Sequence, residues 1–199
     1  MFTEPDVDIL LSGKSKVCLY TNIMAPHKSH KFFLALMAET EWKSKTLKLF
    51  GKTQKIPRLS AWYGDLPYTY SGIKMMSNPL SLNLLKLKKI SEVITGAQFN
   101  SVLVNLYRNG QDSIGWHSDN EPELKINPSI ASISLGGPRT LEFRNKENKK
   151  KVSIMLPNNS LLFMCGETQH SWQHAIPKTK SFVRPRINLT FRQIYHQHK

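Results

Sequence analysis

Carboxylates are scarce in this chain: 14 Asp and Glu face 28 Lys and Arg, which leaves a formal net charge of +14 over 199 residues. Such a surplus favours a polyanionic partner, nucleic acid or an anionic membrane surface. No basic amphipathic helix stands out, so nucleic acid is preferred to membrane. Cysteine is nearly missing too. Cys18 and Cys165 alone build no disulfide framework, and free thiols in a cytosolic or nuclear setting are the expectation. No apolar run approaches the ~18 residues needed to span a bilayer. The opening MFTEPDVDILLSGKS starts acidic and has only the short apolar Ile9-Leu10-Leu11, so it does not read as a secretory signal. No repeat, low-complexity tract or linker divides the chain. These absences leave one compact, intracellular, monomeric domain with enough chain for a sizeable core.

Within that domain, residues 1–14 read as a loose leader. Val17 to Tyr20 reads as a short strand. Residues 28–42 read as a helix that Ser29 is able to cap, with Phe32, Phe33, Leu34, Leu36 and Met37 as its apolar stripe. Thr46 to Phe50 alternates as a half-exposed strand does, Gly51-Lys52 turns it, and Pro57 ends the loop. Next comes PRLSAWYGDLPYTYSG, dense in aromatics: Trp62 and Tyr63 are assigned to the core, Tyr68 and Tyr70 to function. Leu80 to Thr95 forms the second helix, with Leu84, Leu87, Val93 and Ile94 buried and Gly96 as its stop. After Gly96 the texture changes to short strands between Gly, Pro and Asn turns: 102–107, 130–135, 141–143, 152–156, 161–164, 173–176 and 187–195. Several strands at this spacing after two helices predict a mainly β jelly roll with helical support. Lys149 to Lys151 reads as a solvated hairpin tip.

The most informative stretch is YRNGQDSIGWHSD, 107–119. One residue separates His117 from Asp119, so on an extended backbone both side chains leave from one side. An imidazole and a carboxylate converging there take two adjacent positions around a metal. A later His would complete a two-His, one-carboxylate face with open positions opposite, an arrangement suited to non-haem Fe(II) and O2. His170 and His174 share a parity, so alternation leaves both open. In the last strand, period two sends Arg186, Asn188, Thr190 and Arg192 to one face and Ile187, Leu189 and Phe191 to the sandwich core. The arginines stand about 20 Å apart at ~3.3 Å per residue. Strand curvature and side-chain reach shorten that, and a dicarboxylate is the natural ligand for such a pair. Asn105 and Tyr107 share a face in the same way, opposite Val104 and Leu106.

WHSD at 116–119, a later His and PRINLTFR at 185–192 resemble the AlkB family of Fe(II)- and 2-oxoglutarate-dependent nucleic-acid dealkylases. PRLSAWYGDLPYTYSG and FNSVLVNLYRNGQDSIGWHSDNEPEL resemble its repair-type members, and the likeness covers roughly residues 47 to 195. The resemblance implies a double-stranded β-helix holding iron through His117, Asp119 and His174, the His that stands twelve residues before Arg186. It places Arg186 on the far carboxylate of 2-oxoglutarate and Arg192 at its chelating end, with Asn105, Tyr107, Asn188 and Thr190 completing that pocket. It makes 15–199 a single dioxygenase domain, comprising a substrate-recognition extension with helices (15–98) and a jelly-roll catalytic core (99–195).

The implied reaction consumes O2 and 2-oxoglutarate, hydroxylates an N-linked methyl of 1-methyladenine or 3-methylcytosine in DNA, and releases formaldehyde, succinate and CO2. A base inside a duplex does not reach a buried metal, so the target is flipped or already unpaired. Tyr68, Thr69 and Tyr70 then contact the extruded base, and Asn120 and Glu121 read its edge, Glu121 favouring a cationic methylated ring. Phe50, Gly51 and Lys52 resemble a finger that fills the vacated stack in a double-strand-acting relative. Arg58, Lys178, Lys180 and Arg184 are candidate phosphate contacts. The alternatives are an oxygenase of the same chemistry acting on RNA or a protein side chain, and a nucleic-acid-binding module without catalysis. The complete His117, Asp119, His174, Arg186, Arg192 set counts against the last.

Overall fold

The computed structural model describes residues 6–11, 13–49, 52–66, 68–70, 73–75 and 77–195. The chain opens with β1 (Asp6–Leu11) paired antiparallel to β2 (Ser15–Thr21), then helix α1 (Pro26–Glu39). A second antiparallel pair, β3 (Lys43–Leu49) and β4 (Lys52–Gly64), and a small ribbon of β5 (Tyr68–Tyr70) and β6 (Ile73–Met75) precede helix α2 (Leu82–Thr95). Next are β7 (Ser101–Tyr107), β8 (Ile114–His117), β9 (Ile130–Gly136), β10 (Arg139–Asn145), β11 (Lys151–Leu156) and β12 (Ser160–Gly166). The one-turn helix α3 (Thr168–Ser171) leads into β13 (Trp172–Ile176), and β14 (Arg186–Arg192) completes the fold.

Eight strands join in the order β1-β2-β12-β9-β14-β7-β4-β3, and a minor sheet runs β11-β10-β13-β8. The two face each other across a core that includes Leu19, Ile130 and Leu162 from the major sheet with Leu141, Phe143 and Leu156 from the minor one. This is the expected jelly roll. No helix among the described residues is long and apolar enough to cross a membrane.

The helices cover the back of the major sheet, and this corrects the reading of the last strand. Ile187, Leu189 and Phe191 pack not between the sheets but under the helices, in one cluster with Leu36, Leu84 and Leu87. The polar side of β14 therefore faces the interior. All seven of its residues are buried, because helices close one face and the opposite sheet closes the other. Each fully buried leucine there stabilises the fold by roughly 1.5–3 kcal/mol.

Other expectations change as well. Residues 6–11, taken as part of a loose leader, form β1 with a ladder from Asp6↔Thr21 to Leu11↔Val17. Within residues 15–98, β2 pairs with β12 and β4 with β7 inside the major sheet. Backbone pairing at a sheet edge, which composition does not report, explains the first of these. Ser29 is not the cap of α1: Ala25 is, and the buried Ser29 hydroxyl donates to Asn158 Oδ1 at 3.2 Å. Ser81 caps α2, accepting from the Leu84 N–H at 3.3 Å. Val93 and Leu34 point outward, 71% and 53% exposed. Pro57 lies inside β4 rather than ending a loop. The β3–β4 ladder shifts register between Ser44 and Thr46, opposite that segment, as a residue without an N–H requires.

Gly136 ends β9 at φ +91, and an added Cβ would stand 2.4 Å from the Pro185 carbonyl and 2.7 Å from the Phe33 ring. Gly136→Ala therefore combines a left-handed backbone with a backbone clash. We expect it to lose about 1–3 kcal/mol, seen as a melting temperature lower by several degrees at this chain length.

Candidate active site

Strand pairing brings the metal-ligating residues together. In β13 and β8, His174 is the direct partner of His117, with ring centroids 4.2 Å apart. Trp116 turns to the outer face, where its ring lies 4.4 Å from the Arg144 guanidinium, so alternation turns His117 inward. Two residues on, Asp119 is 1% exposed, and its Oδ2 stands 3.9 Å from His174 Nε2. One ligand atom from each of the three lies within 4.8 Å of the others. His170, the alternative with the same parity, sits on α3 and is exposed.

Neighbouring groups prepare these ligands. His117 Nδ1 donates to the Gly115 carbonyl at 2.9 Å, which fixes the tautomer and leaves the Nε2 lone pair for a metal. Gln169, 1% exposed, accepts the Asp119 backbone N–H at 2.9 Å. Ser118 is anchored to the Trp172 carbonyl at 2.8 Å. Arg192 Nη2 donates to Asp119 Oδ1 at 2.8 Å. Burial alone would raise the Asp119 carboxyl, but Arg192, then His174 and His117, outweigh it and hold the pKa down at about 2. Burial, with His117 beside it, pulls His174 down to about 3, and burial also lowers His117. The set at neutral pH is two neutral imidazoles and one carboxylate, the protonation state metal binding needs.

The polar face of β14 lines the same cavity. Asn188 donates to Ser132 Oγ at 2.7 Å and accepts from Thr190 Oγ1 at 3.0 Å, while Asn105 Nδ2 reaches Asn188 Oδ1 at 3.5 Å. Arg186, 1% exposed, donates to Ser134 Oγ at 2.9 Å and lies 5.2 Å from the Tyr107 ring centroid. Its Nε and Nη1 are buried with no hydrogen-bond partner among the described residues. Burial lowers its pKa to about 10, with Tyr107 pulling up and Arg139 down. A guanidinium with unused buried donors fits a carboxylate, and a two-His, one-carboxylate face with open positions fits Fe(II). The residues present thus suit both ferrous iron and 2-oxoglutarate.

Other predicted positions fare differently. Arg192 stands at the metal end, where Nη2 bonds the ligand Asp119 and Nη1 donates to the Thr190 carbonyl at 3.4 Å. Asn120 is exposed and Glu121 half-buried immediately beyond Asp119. Phe50 and Gly51, and the side chains of Lys52, Tyr68, Thr69 and Tyr70, lie outside the described residues. Arg58 is a correction. It is 7% exposed, with Nε on Asn105 Oδ1 at 3.1 Å and Nη1 on the Ser113 carbonyl at 3.2 Å, so it braces the pocket floor and is not placed to meet phosphate. Arg58→Leu should cost about 1–3 kcal/mol through the acceptors it abandons. The salt dependence of oligonucleotide binding should stay unchanged, whereas a lost phosphate contact would reduce that slope by about 1.

Sequence reading missed Ser132, Ser134, Arg139 and Gln169. Ser132 and Ser134 alternate with Ile133 and Leu135, a legible sign of a cavity face. Arg139 bonds the Asn109 and Pro177 carbonyls at 3.2 and 2.6 Å, and Gln169 comes from α3; no local pattern announces either.

A jelly roll that sets a facial metal site beside a buried carboxylate receptor defines a keto-acid-dependent oxygenase. The chain belongs to the 2OG-Fe(II) oxygenase superfamily, whose family model matches residues 16–192, and its relatives are AlkB-family enzymes that use Fe(II), 2-oxoglutarate and O2. It is 44% identical over 200 residues to the human alpha-ketoglutarate-dependent dioxygenase alkB homolog 3, spanning 96% of this chain and 70% of that one. It is 37% identical over 190 residues to the human DNA oxidative demethylase ALKBH2, spanning 89% and 73%. The solved structure of OsALKBH1 shares the fold at TM-score 0.64 and 14% identity, covering 94% of this chain and all of that one.

Proposed function

We propose that this oxygenase demethylates 1-methyladenine and 3-methylcytosine in DNA, reversing alkylation damage directly. The observation that carries the reaction class is the meeting of His117, Asp119 and His174 in one cavity with the Arg186 guanidinium, whose Nε and Nη1 have no hydrogen-bond partner among the described residues. The substrate reading is supported by the +14 charge, by Glu121 two residues after the ligand Asp119, and by the relative named a DNA oxidative demethylase.

When bound, Fe(II) with 2-oxoglutarate and O2 supplies the oxidation: succinate and CO2 leave, one oxygen atom enters the N-methyl C–H, and the hydroxymethylated base sheds formaldehyde. The chain's own residues supply position and charge. Arg186 anchors the carboxylate of the keto acid remote from the metal. Asn105, Asn188 and Thr190 fix its orientation through their mutual bonds. Arg192 holds Asp119 as an anion, and Gly115 holds the His117 tautomer. Glu121 offers negative charge to a cationic methylated ring, a preference neutral bases lack.

The test is a turnover panel: 1-methyladenine and 3-methylcytosine in single- and double-stranded DNA and RNA, with a methylated peptide as control, read by formaldehyde and succinate. Release from the DNA substrates is expected. Succinate stimulated only by RNA or only by peptide would replace DNA by that substrate.

A further inference from the structure

A groove of about 1070 Å³ lies between α1 and α2, on the side of the major sheet away from the metal ligands. That exceeds the ~300–1,000 Å³ of ordinary small-ligand pockets. Half-buried Phe32 and Ile90 lie within it, and exposed Lys28 and Lys31 from α1 and Lys86 and Lys89 from α2 line it. Each pair is three residues apart and so shares one helix face. None of the four lysines has an ion-pair partner within 4.0 Å among the described residues. Asp6 is the single acid among the described lining residues. Beside the groove, α2 exposes Leu82, Leu85 and Val93 by 75%, 46% and 71%. With Lys86 and Lys89 they recur at steps of three and four, one stripe along the helix.

Three kinds of occupant meet this surface differently. A second copy of the chain would set lysines against lysines, and like charges facing each other are penalised. A nucleic-acid strand would satisfy the lysines, but its bases stack on aromatic rings and gain little from leucine or valine. A helix with carboxylates along one side and aliphatic side chains along the other satisfies both features. We propose that the α1–α2 groove docks an acidic amphipathic helix of a partner protein. The apolar face would seat on Phe32, Ile90 and the Leu82–Val93 stripe, with carboxylates on the four lysines. The proposal does not depend on the substrate of the oxygenase, because the apolar face of β7 and β14 separates the groove from the catalytic cavity.

The test uses the full chain loaded with iron and 2-oxoglutarate, and a fluorescein-labelled helix of about 18 residues, five turns. The probe carries leucine at helical spacing and glutamate elsewhere. Comparison probes are a scrambled peptide of the same composition and a labelled thymidine oligonucleotide. Saturable anisotropy is expected for the patterned peptide, weaker by roughly tenfold or more with the scramble. K86E/K89E and the charge-neutral Leu82→Ser/Val93→Ser should each lower affinity by a similar factor, with formaldehyde release unchanged. The proposal fails if the patterned peptide does not saturate, if its scramble binds equally, or if Leu82→Ser/Val93→Ser has no effect. It fails equally if the oligonucleotide displaces the peptide and loses affinity in the same variants, which would make the surface a nucleic-acid path.

Discussion

With Asp119 replaced by Ala, formaldehyde release should fall to background. The side chain has two duties: it is the one carboxylate of the facial triad, and it is the anion that Arg192 Nη2 meets at 2.8 Å. Removing it takes the counter-charge from a guanidinium that is 2% exposed, and breaking a buried pair in this way costs about 3–5 kcal/mol. Loss of activity through unfolding and loss through missing metal therefore need separating. Asp119→Asn does this, because its amide oxygen still accepts from Arg192 while the ligand charge is gone. Both variants lose the counter-charge, but the retained hydrogen bond should keep the Asn variant's melting temperature above that of the Ala variant, with ferrous binding and turnover still lost. An Asn variant that turns over at the parent rate would remove Asp119 from the metal site.

Arg186 should matter far more for binding than for stability. Arg186→Leu removes the cation that receives the keto acid, and losing one partner of a buried charged pair costs about 2–5 kcal/mol, roughly thirty-fold to several-thousand-fold in affinity. The KM for 2-oxoglutarate, read by succinate formation, should rise within that range. Arg186→Lys should recover only part, since an ammonium cannot present the planar fork. In the absence of keto acid the Leu variant should melt close to the parent, because the bonds to Ser134 and Tyr107 that it loses are offset by relief of a buried guanidinium with two unpaired nitrogens. A KM that stays put in the Leu variant would show that the keto acid is anchored elsewhere.

Some of this site is legible in the sequence alone. The alternation of RINLTFR commits Arg186, Asn188, Thr190 and Arg192 to one face whatever the strand pairs with, because pleating is a local property of the backbone. The same reasoning puts His117 and Asp119 on one side. It stops at His170 and His174, which alternation leaves equal; the register His174↔His117 and the break into α3 decide between them.

Local patterns also misjudged direction. Ile187, Leu189 and Phe191 are apolar enough for any interior, and the chain offers two, one between the sheets and one beneath the helices. Which interior an apolar face enters depends on what packs across it. Arg58 shows the same limit: beside aromatic residues it resembles a phosphate contact, yet β4 pairs with β7 and carries it onto Asn105.

By itself, then, the sequence determined the ligand types, the polar and apolar faces of the strands, and the surplus of positive charge, all fixed by residue chemistry and backbone period. The resemblance pointed to His174, but only tertiary structure brought it to Asp119, decided which interior each face enters, and left Arg186 with buried donors for a carboxylate. Those depend on pairing between segments far apart in the chain, which is settled by the summed burial of the whole fold and by no single stretch of it.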